Sequence, residues 1–114
     1  MENFFAKMKE YLHMDTEISF AEFNDYYQQV MDYLKTNYEK MEKEDNIKAK
    51  FILMILASNS AARAQRKGPE MKKYRKINEK TKFWADAINY RLIQSGMSQS
   101  EIDQALDEIN KSTN

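Results

Sequence analysis

Glu10 and His13 are the first residues whose types and spacing suggest chemistry, because they form a Glu-x-x-His pair in a region that reads as a helix. Di-iron carboxylate bundles use this spacing, since it directs both ligands inward from one helical face. That centre needs two such pairs and two further glutamates, whereas this chain contains 1 histidine. We therefore predict no metal site here and interpret His13 as the end of an amphipathic helix, where the dipole favours a cation.

A second acidic set comprises Glu39, Glu42 and Asp45, which recur at every third position. The spacing resembles that of all-α nucleotide pyrophosphatases, which hold Mg²⁺ with a Glu-x-x-Glu pair on one helix and a second acidic pair on the next. The helix predicted to follow, about 47–67, contains no acidic residue. Because Mg²⁺ requires nearly octahedral ligation, we predict a solvated acidic turn and no metal or other cofactor.

Other catalytic chemistry has little support in the composition. The chain has no cysteine, which excludes a thiol nucleophile, cysteine-ligated zinc, iron–sulfur clusters and disulfides. Neither a Gly-x-Ser-x-Gly motif nor a phosphate-cradling loop occurs in the sequence, and His13 is the one general base of the usual kind. We expect a protein that is not an enzyme.

The segment 92–102 has features of a DNA-binding helix-turn-helix: Gly96 at the turn, Ser98 as a cap, and Ile102 six residues after the glycine. Two observations oppose this interpretation. Leu92 stands where the motif normally has a small residue, and it would crowd the two helices. The helix that would read DNA carries carboxylates, which repel phosphates, namely Glu101, Asp103, Asp107 and Glu108. A capped helical hairpin explains the same residues.

Charge segregation is the most distinctive property of the chain, although the net charge is zero. Residues 1–45 carry 11 acidic and 5 basic side chains, and residues 46–82 carry 2 acidic and 11 basic ones. Residues 83–114 carry 5 acidic and 2 basic side chains. A basic middle between acidic ends limits the partners that the surface attracts.

The basic residues on both sides of Gly68 form the leading candidate site. Those before it have an ordinary explanation, since the dipole favours cations in the last turns of a helix. Those after it would lie in the first two turns of the next helix, where the dipole disfavours each cation by about 0.3–1 kcal/mol. We predict an anion-binding or partner-binding surface that consists of Lys72, Lys73, Arg75, Lys76, Arg66 and Lys67.

The tyrosines of the second predicted helix cover more than one helical face, so some of them must lie at the surface. Tyrosine suits interfaces because it joins apolar area to a hydroxyl group. We predict Tyr26, Tyr33 and Tyr38 as interface aromatics. A homodimer is an alternative use of this surface, and a tyrosine-rich core boundary is another.

Few residues break helices in this chain, and they lie between apolar-periodic segments: Gly68, Pro69 and Gly96. Without strand-like alternation, the pattern predicts an all-α helical bundle in a single domain, residues 1–114. We expect four main helices at about 2–13, 20–43, 47–67 and 69–95, and a short C-terminal helix at 99–111. Residues 51–57 are apolar all round, which is typical of a central helix.

Capping signals support these helix boundaries. Ser19 with Glu22 and Ser98 with Glu101 both have the spacing of a capping box. We expect Asp45 or Asn46 to cap the third helix. Gly68 is expected to end that helix in a left-handed conformation, with Pro69 as the first residue of the fourth helix.

The order of the helices determines whether acidic side chains of another helix can neutralise the basic surface. In an up-down-up-down bundle the second and fourth helices lie on a diagonal and do not touch. The acidic stripe of the second helix would then leave the basic surface of the fourth unneutralised. That stripe consists of Glu22, Asp25, Asp32, Glu39 and Glu42.

The resulting functional expectation is a small interaction or regulatory protein that docks an acidic partner through its basic helix face. The alternative is a nucleic-acid-binding protein that uses the same lysines on phosphates without reading bases. The N-terminus lacks the pattern of a secretory signal, and the longest apolar run is too short to span a bilayer. We therefore expect a cytoplasmic protein without a membrane partner, and the excess of lysine over arginine indicates a bacterial source.

Overall fold

The computed structural model describes residues 1–113, and this part of the chain is helical without strands. It contains five α-helices and a short 3₁₀ helix at Tyr38–Lys40. The α-helices are α1 (Glu2–Leu12), α2 (Phe20–Asn37), α3 (Lys43–Ala64), α4 (Met71–Gln94) and α5 (Gln99–Thr113). The predicted all-α class is therefore confirmed. No helix among the described residues has the length and apolar character needed to cross a membrane.

Serine caps begin α2 and α5, as predicted. The Ser19 hydroxyl accepts a hydrogen bond from the Glu22 amide at 3.2 Å. At α5 the capping box is complete, because Ser98 Oγ accepts from the Glu101 amide at 3.1 Å and Glu101 Oε1 accepts from the Ser98 amide at 2.9 Å. Two orphan amides are thereby satisfied, which fixes where α5 begins.

The connection between α2 and α3 differs from the prediction. Helix α2 ends at Asn37 and α3 begins at Lys43, earlier than expected in both cases. Met41 turns into the core between them. Asn46 does not cap α3, since it is buried in the second turn and donates a hydrogen bond back to the Met41 carbonyl at 3.2 Å. The cap position belongs to Glu42, whose side chain makes no capping hydrogen bond.

The connection between α3 and α4 also differs. Helix α3 ends at Ala64 because its last turns tighten, with the Arg66 amide donating to the Arg63 carbonyl at 3.2 Å. Gly68 does not adopt a left-handed conformation, and among the described residues only Gly96 does, with a φ of +107°. Pro69 precedes the first residue of α4 by two positions. The predicted left-handed closure at Gly68 and the predicted start at Pro69 are therefore wrong.

Helix α3 lies at the centre of the fold and packs most extensively against α4. The two helices are antiparallel, because Asn78 Nδ2 donates to the Ala57 carbonyl at 2.7 Å while Lys50 Nζ donates to the Ala85 carbonyl at 3.3 Å. Ile52 is fully buried on α3, as expected for a central helix. These two hydrogen bonds join α3 to the middle of α4.

Helix α2 runs parallel to α4 and contacts it directly. The Phe20 and Tyr74 rings lie 5.1 Å apart edge to face, and the ring of Tyr38, directly after the end of α2, lies 5.4 Å from that of Trp84. Large aromatic side chains bridge the two helices, so the expected diagonal arrangement without contact is wrong. The acidic and basic faces consequently belong to neighbouring helices.

Candidate docking surface on helix α4

Helix α4 buries one face and presents the opposite face to solvent. Its buried residues are Tyr74, Ile77, Thr81, Ala85, Ile88 and Leu92. On the far side, positions 72, 76, 83 and 90 are four and seven residues apart, which places them on one helical face. The exposed side chains at these positions are Lys72, Lys76, Phe83 and Tyr90. The outward face therefore carries lysines in its first half and aromatic rings in its second, and the carboxylates of Glu79 and Asp86 are exposed on it as well.

Most of the predicted anion-binding residues are exposed and lack an ionic partner. Five of these six residues take part in no ion pair with another side chain of residues 1–113. These five are Lys67, Lys72, Lys73, Arg75 and Lys76, all of them exposed. Lys80 and Lys82, which continue the run along α4, are likewise exposed and outside those ion pairs. The acidic side chains of α2 thus leave this cluster unneutralised despite the contact between the helices.

Arg66 is the exception among the predicted residues. Its guanidinium forms a bidentate pair with the Glu17 carboxylate, with N–O distances of 2.6 and 2.8 Å. This hydrogen bond, together with the charges of Arg63 and Arg66, holds the pKa of the Glu17 carboxyl below its usual value. Arg66 therefore ties the α1–α2 loop to the end of α3 and is not a free cation of the surface.

Arg63 has a structural role that the charge pattern did not reveal. It is only 7% exposed, its guanidinium carbon lies 4.6 Å from the centre of the Phe23 ring, and its Nη1 donates to the Tyr74 hydroxyl at 3.0 Å. Arg63 lies in the last turn of α3, where the helix dipole favours its positive charge, as predicted. Its burial between rings from two other helices is a tertiary feature that the sequence does not signal.

A groove between α2 and α4 adjoins the basic cluster. It consists of two neighbouring clefts of about 270 and 380 Å³, which share Tyr27, Gln28 and Lys80. The cleft nearer the start of α4 is lined by Phe20, Asn24, Lys73, Lys76 and Ile77 in addition to the shared residues. The other is lined additionally by Met31, Lys35, Glu79, Phe83 and Trp84. Apolar side chains, which we call the floor of the groove, and lysines, which we call its rim, line both clefts.

The predicted interface tyrosines lie in different surroundings. Tyr26 is buried, and its hydroxyl donates to the Phe4 carbonyl at 2.7 Å, so its assignment to an exposed interface is wrong. Tyr33 is half-buried with its ring 5.6 Å from that of Phe4. Tyr38 is half-buried against Trp84. These tyrosines pack between helices because α1 and α4 both cover α2.

The exposed aromatic residues of the molecule are instead Phe83 and Tyr90, which are 68% and 62% exposed. Both fall outside the apolar stripe of α4, and their seven-residue separation was the available signal in the sequence. The predicted site included neither residue. It also omitted Lys35, which reaches the groove from α2, because only the adjacency of α2 and α4 brings it there.

The other candidates of the sequence analysis are not assembled into sites. His13 is exposed at the end of α1. Over residues 1–113 there is no group of three or more His, Cys, Asp or Glu side chains that could hold a metal ion. Ile102 of α5 is fully buried, whereas the acidic residues at 101, 103, 107 and 108 are exposed. The exposed face of α5 would therefore repel a phosphate backbone.

The chain matches no protein-family model, and no curated protein or solved structure matches it either.

Proposed function

We propose that this chain is a non-catalytic interaction module of the cytoplasm that docks an acidic protein partner on the basic face of α4. The observation that carries the proposal is the exposed cluster of Lys67, Lys72, Lys73, Arg75 and Lys76, none of which forms an ion pair with a carboxylate of residues 1–113. Such a cluster raises the rate of encounter with an acidic surface and selects against basic ones.

The position of the cluster supports a role outside folding. Lys72 and Lys73 lie in the first turn of α4, which contains no acidic residue, and the helix dipole disfavours cations there. The neighbouring cations also repel each other, since like charges three or four positions apart destabilise a helix. The arrangement opposes the stability of α4, and a partner with carboxylates at the interface would relieve it.

The proposal is tested by comparing two doubly charge-reversed proteins of equal net charge. Lys72→Glu/Lys76→Glu alters the surface, whereas Lys40→Glu/Lys43→Glu alters exposed lysines elsewhere. Each protein is immobilised, exposed to extract of the source cell, and analysed by mass spectrometry, with circular dichroism confirming the fold. We expect an acidic partner that binds the wild type and the control variant but not Lys72→Glu/Lys76→Glu. Equal capture by both variants would contradict the proposal.

Nucleic acid is the alternative partner for the same lysines, and the same proteins distinguish it. Binding to phosphates releases counterions, so the affinity would fall steeply with the logarithm of the salt concentration. A mobility shift of random-sequence DNA or RNA at low ionic strength, lost in Lys72→Glu/Lys76→Glu, would replace the protein partner by nucleic acid.

A further inference from the structure

We propose that the segment docked by this module is an acidic amphipathic helix that lies in the groove between α2 and α4. This inference rests on the proposed function and specifies the chemistry of the partner. It is independent of how far the partner extends beyond that segment. The observation behind it is the coincidence of an apolar floor, a lysine rim and an exposed aromatic residue along one groove.

The dimensions of the groove suit a short helix. On α4 its lining runs from Lys73 to Trp84, which corresponds to about 16 Å at the helical rise, or roughly three turns of a docked helix. Helices α2 and α4 are parallel neighbours whose contacts are made by long aromatic side chains. A third helix can pack its apolar face against the side chains that lie between two such helices.

Apolar side chains line both clefts of the groove, together with the polar side chains of Asn24 and Gln28. Phe20 and Ile77 line its first cleft, Met31 and Trp84 line the second, and Tyr27 lines both. Apolar side chains of a partner placed three, four or seven positions apart would meet this floor on one helical face. The floor therefore demands a partner with an apolar stripe and does not accept a uniformly polar acidic chain.

The rim of the groove determines the charge of that partner. Lys35 projects from α2, and Lys73, Lys76 and Lys80 project from α4, whereas Glu79 is the one acidic residue among the lining residues of both clefts. Lys73 Nζ lies 5.3 Å from the centre of the Phe20 ring, so its aliphatic stem covers apolar surface while its charge stays at the edge. Carboxylates on both flanks of the partner's apolar stripe would face these ammonium groups.

Helical structure in the partner follows from the walls of the groove. Both walls are α-helices, whose backbone amides and carbonyls are already bonded within the helix. An extended peptide would find no free sheet edge to pair with and would lose the hydration of its own backbone. A helical peptide satisfies its backbone internally, so it can bury an apolar face here at a lower cost.

Phe83 supplies the clearest anchor. It is a wall of the second cleft and is 68% exposed, while its ring packs edge to face on Trp84 with centroids 6.1 Å apart. Tyr90 is exposed to a similar extent on the same face of α4 but does not line either cleft. Substitution of Phe83 therefore alters the groove, and the matched substitution of Tyr90 alters an exposed ring outside the groove.

The test selects binders from a phage-displayed library of random peptides about four helical turns long, with the whole chain as bait. We expect enriched peptides that are net acidic, carry apolar residues at helical spacing, and gain helical circular dichroism on binding. Enrichment of peptides without acidic charge or without that spacing would overturn the proposal. Binding of the selected peptides is then measured by fluorescence anisotropy against four variants.

Phe83→Asp and Lys80→Glu place negative charge in the groove, Tyr90→Asp places it on the same helix outside the groove, and Lys40→Glu places it at an exposed lysine away from α4. We expect at least about a tenfold loss of affinity for each groove variant, since residues that anchor an interface typically cost this much, and less than about a threefold loss for each control. Equal losses in groove and control variants would overturn the proposal.

The same variants separate this inference from the proposed function. A cellular partner lost with Lys72→Glu/Lys76→Glu but retained by Phe83→Asp and Lys80→Glu would support docking on the basic face and contradict the groove. Selected peptides that bind the groove, combined with equal cellular capture by all variants, would contradict the proposed function instead. Analytical ultracentrifugation showing a dimer that Phe83→Asp dissociates would identify a second copy as the occupant and overturn a separate partner helix.

Discussion

Arg63 and Tyr74 join α3 to α4 through a hydrogen bond of 3.0 Å from the guanidinium Nη1 to the tyrosine hydroxyl. Phe23 of α2 closes the same site from its other side. The charge is nearly buried, and its Nε lies 3.7 Å from Glu17, a residue of the α1–α2 loop. A single arginine therefore holds three helices and a loop together at one end of the fold.

Tyr74→Phe removes the acceptor of that hydrogen bond while keeping the ring that stacks on Arg63. We expect a loss of about 1–3 kcal/mol in the free energy of unfolding, because a buried charged donor is left with fewer partners. Urea denaturation followed by circular dichroism measures it. Arg75→Ala is the control, since Arg75 is exposed on the same helix and its removal should change the stability by less than about 0.5 kcal/mol. Equal stabilities of Tyr74→Phe and the wild type would contradict this role.

Local signals in the sequence were sufficient for the helices themselves. The serine caps before α2 and α5 and the apolar stripes follow from contacts a few residues apart, and they appear in the structure, whereas the left-handed conformation predicted for Gly68 occurs at Gly96. The ends of α2 and α3 were harder to predict, because burial of Met41 decides where the chain turns. That burial depends on the rest of the core.

The candidate site was predictable only in its charge. The exposed lysines of α4 follow from helical periodicity, whereas the groove depends on the contact of α4 with α2 and with the residue directly after it, through pairs such as Tyr38 and Trp84. Residues 46 positions apart in the chain meet there, and no local pattern specifies that pairing. Phe83 and Lys35 become parts of one surface only once this adjacency is known.

Gly96 and Gly68 provide a matched test of backbone conformation. A Cβ at either position would meet no atom within 4 Å, but only Gly96 has a left-handed φ of +107°. Gly96→Ala should therefore destabilise the protein by about 1–2 kcal/mol through backbone strain alone. Gly68→Ala should leave the stability unchanged or raise it by up to about 1 kcal/mol, because it reduces the entropy of the unfolded chain. Thermal unfolding of both variants checks the contrast, and equal melting temperatures would refute it.

Tyr11 should make stability sensitive to alkali. Burial, followed by the proximity of the Glu22 carboxylate, raises the pKa of Tyr11 from 10.0 to about 12. The folded state holds the neutral phenol, so this contribution to stability is complete below pH 10.0 and is lost as the pH rises through about 12. Tyrosinate absorbance should show a late-ionising group that Tyr11→Phe removes. An unchanged titration curve of Tyr11→Phe would contradict the assignment.

Lys72→Glu should raise the stability of the fold while it weakens partner binding. Lys72 lies in the first turn of α4 on its exposed face, where replacement of a cation by an anion turns an unfavourable dipole interaction into a favourable one. We expect a gain of about 0.5–2 kcal/mol at low salt, from about 0.3–1 kcal/mol for each of the two terms, and a smaller gain at high salt because exposed charges are screened. Lys82→Glu, in the middle of the same helix, should give no such gain. A lower free energy of unfolding for Lys72→Glu would show that Lys72 stabilises the fold, and it would contradict a role for Lys72 in partner binding alone.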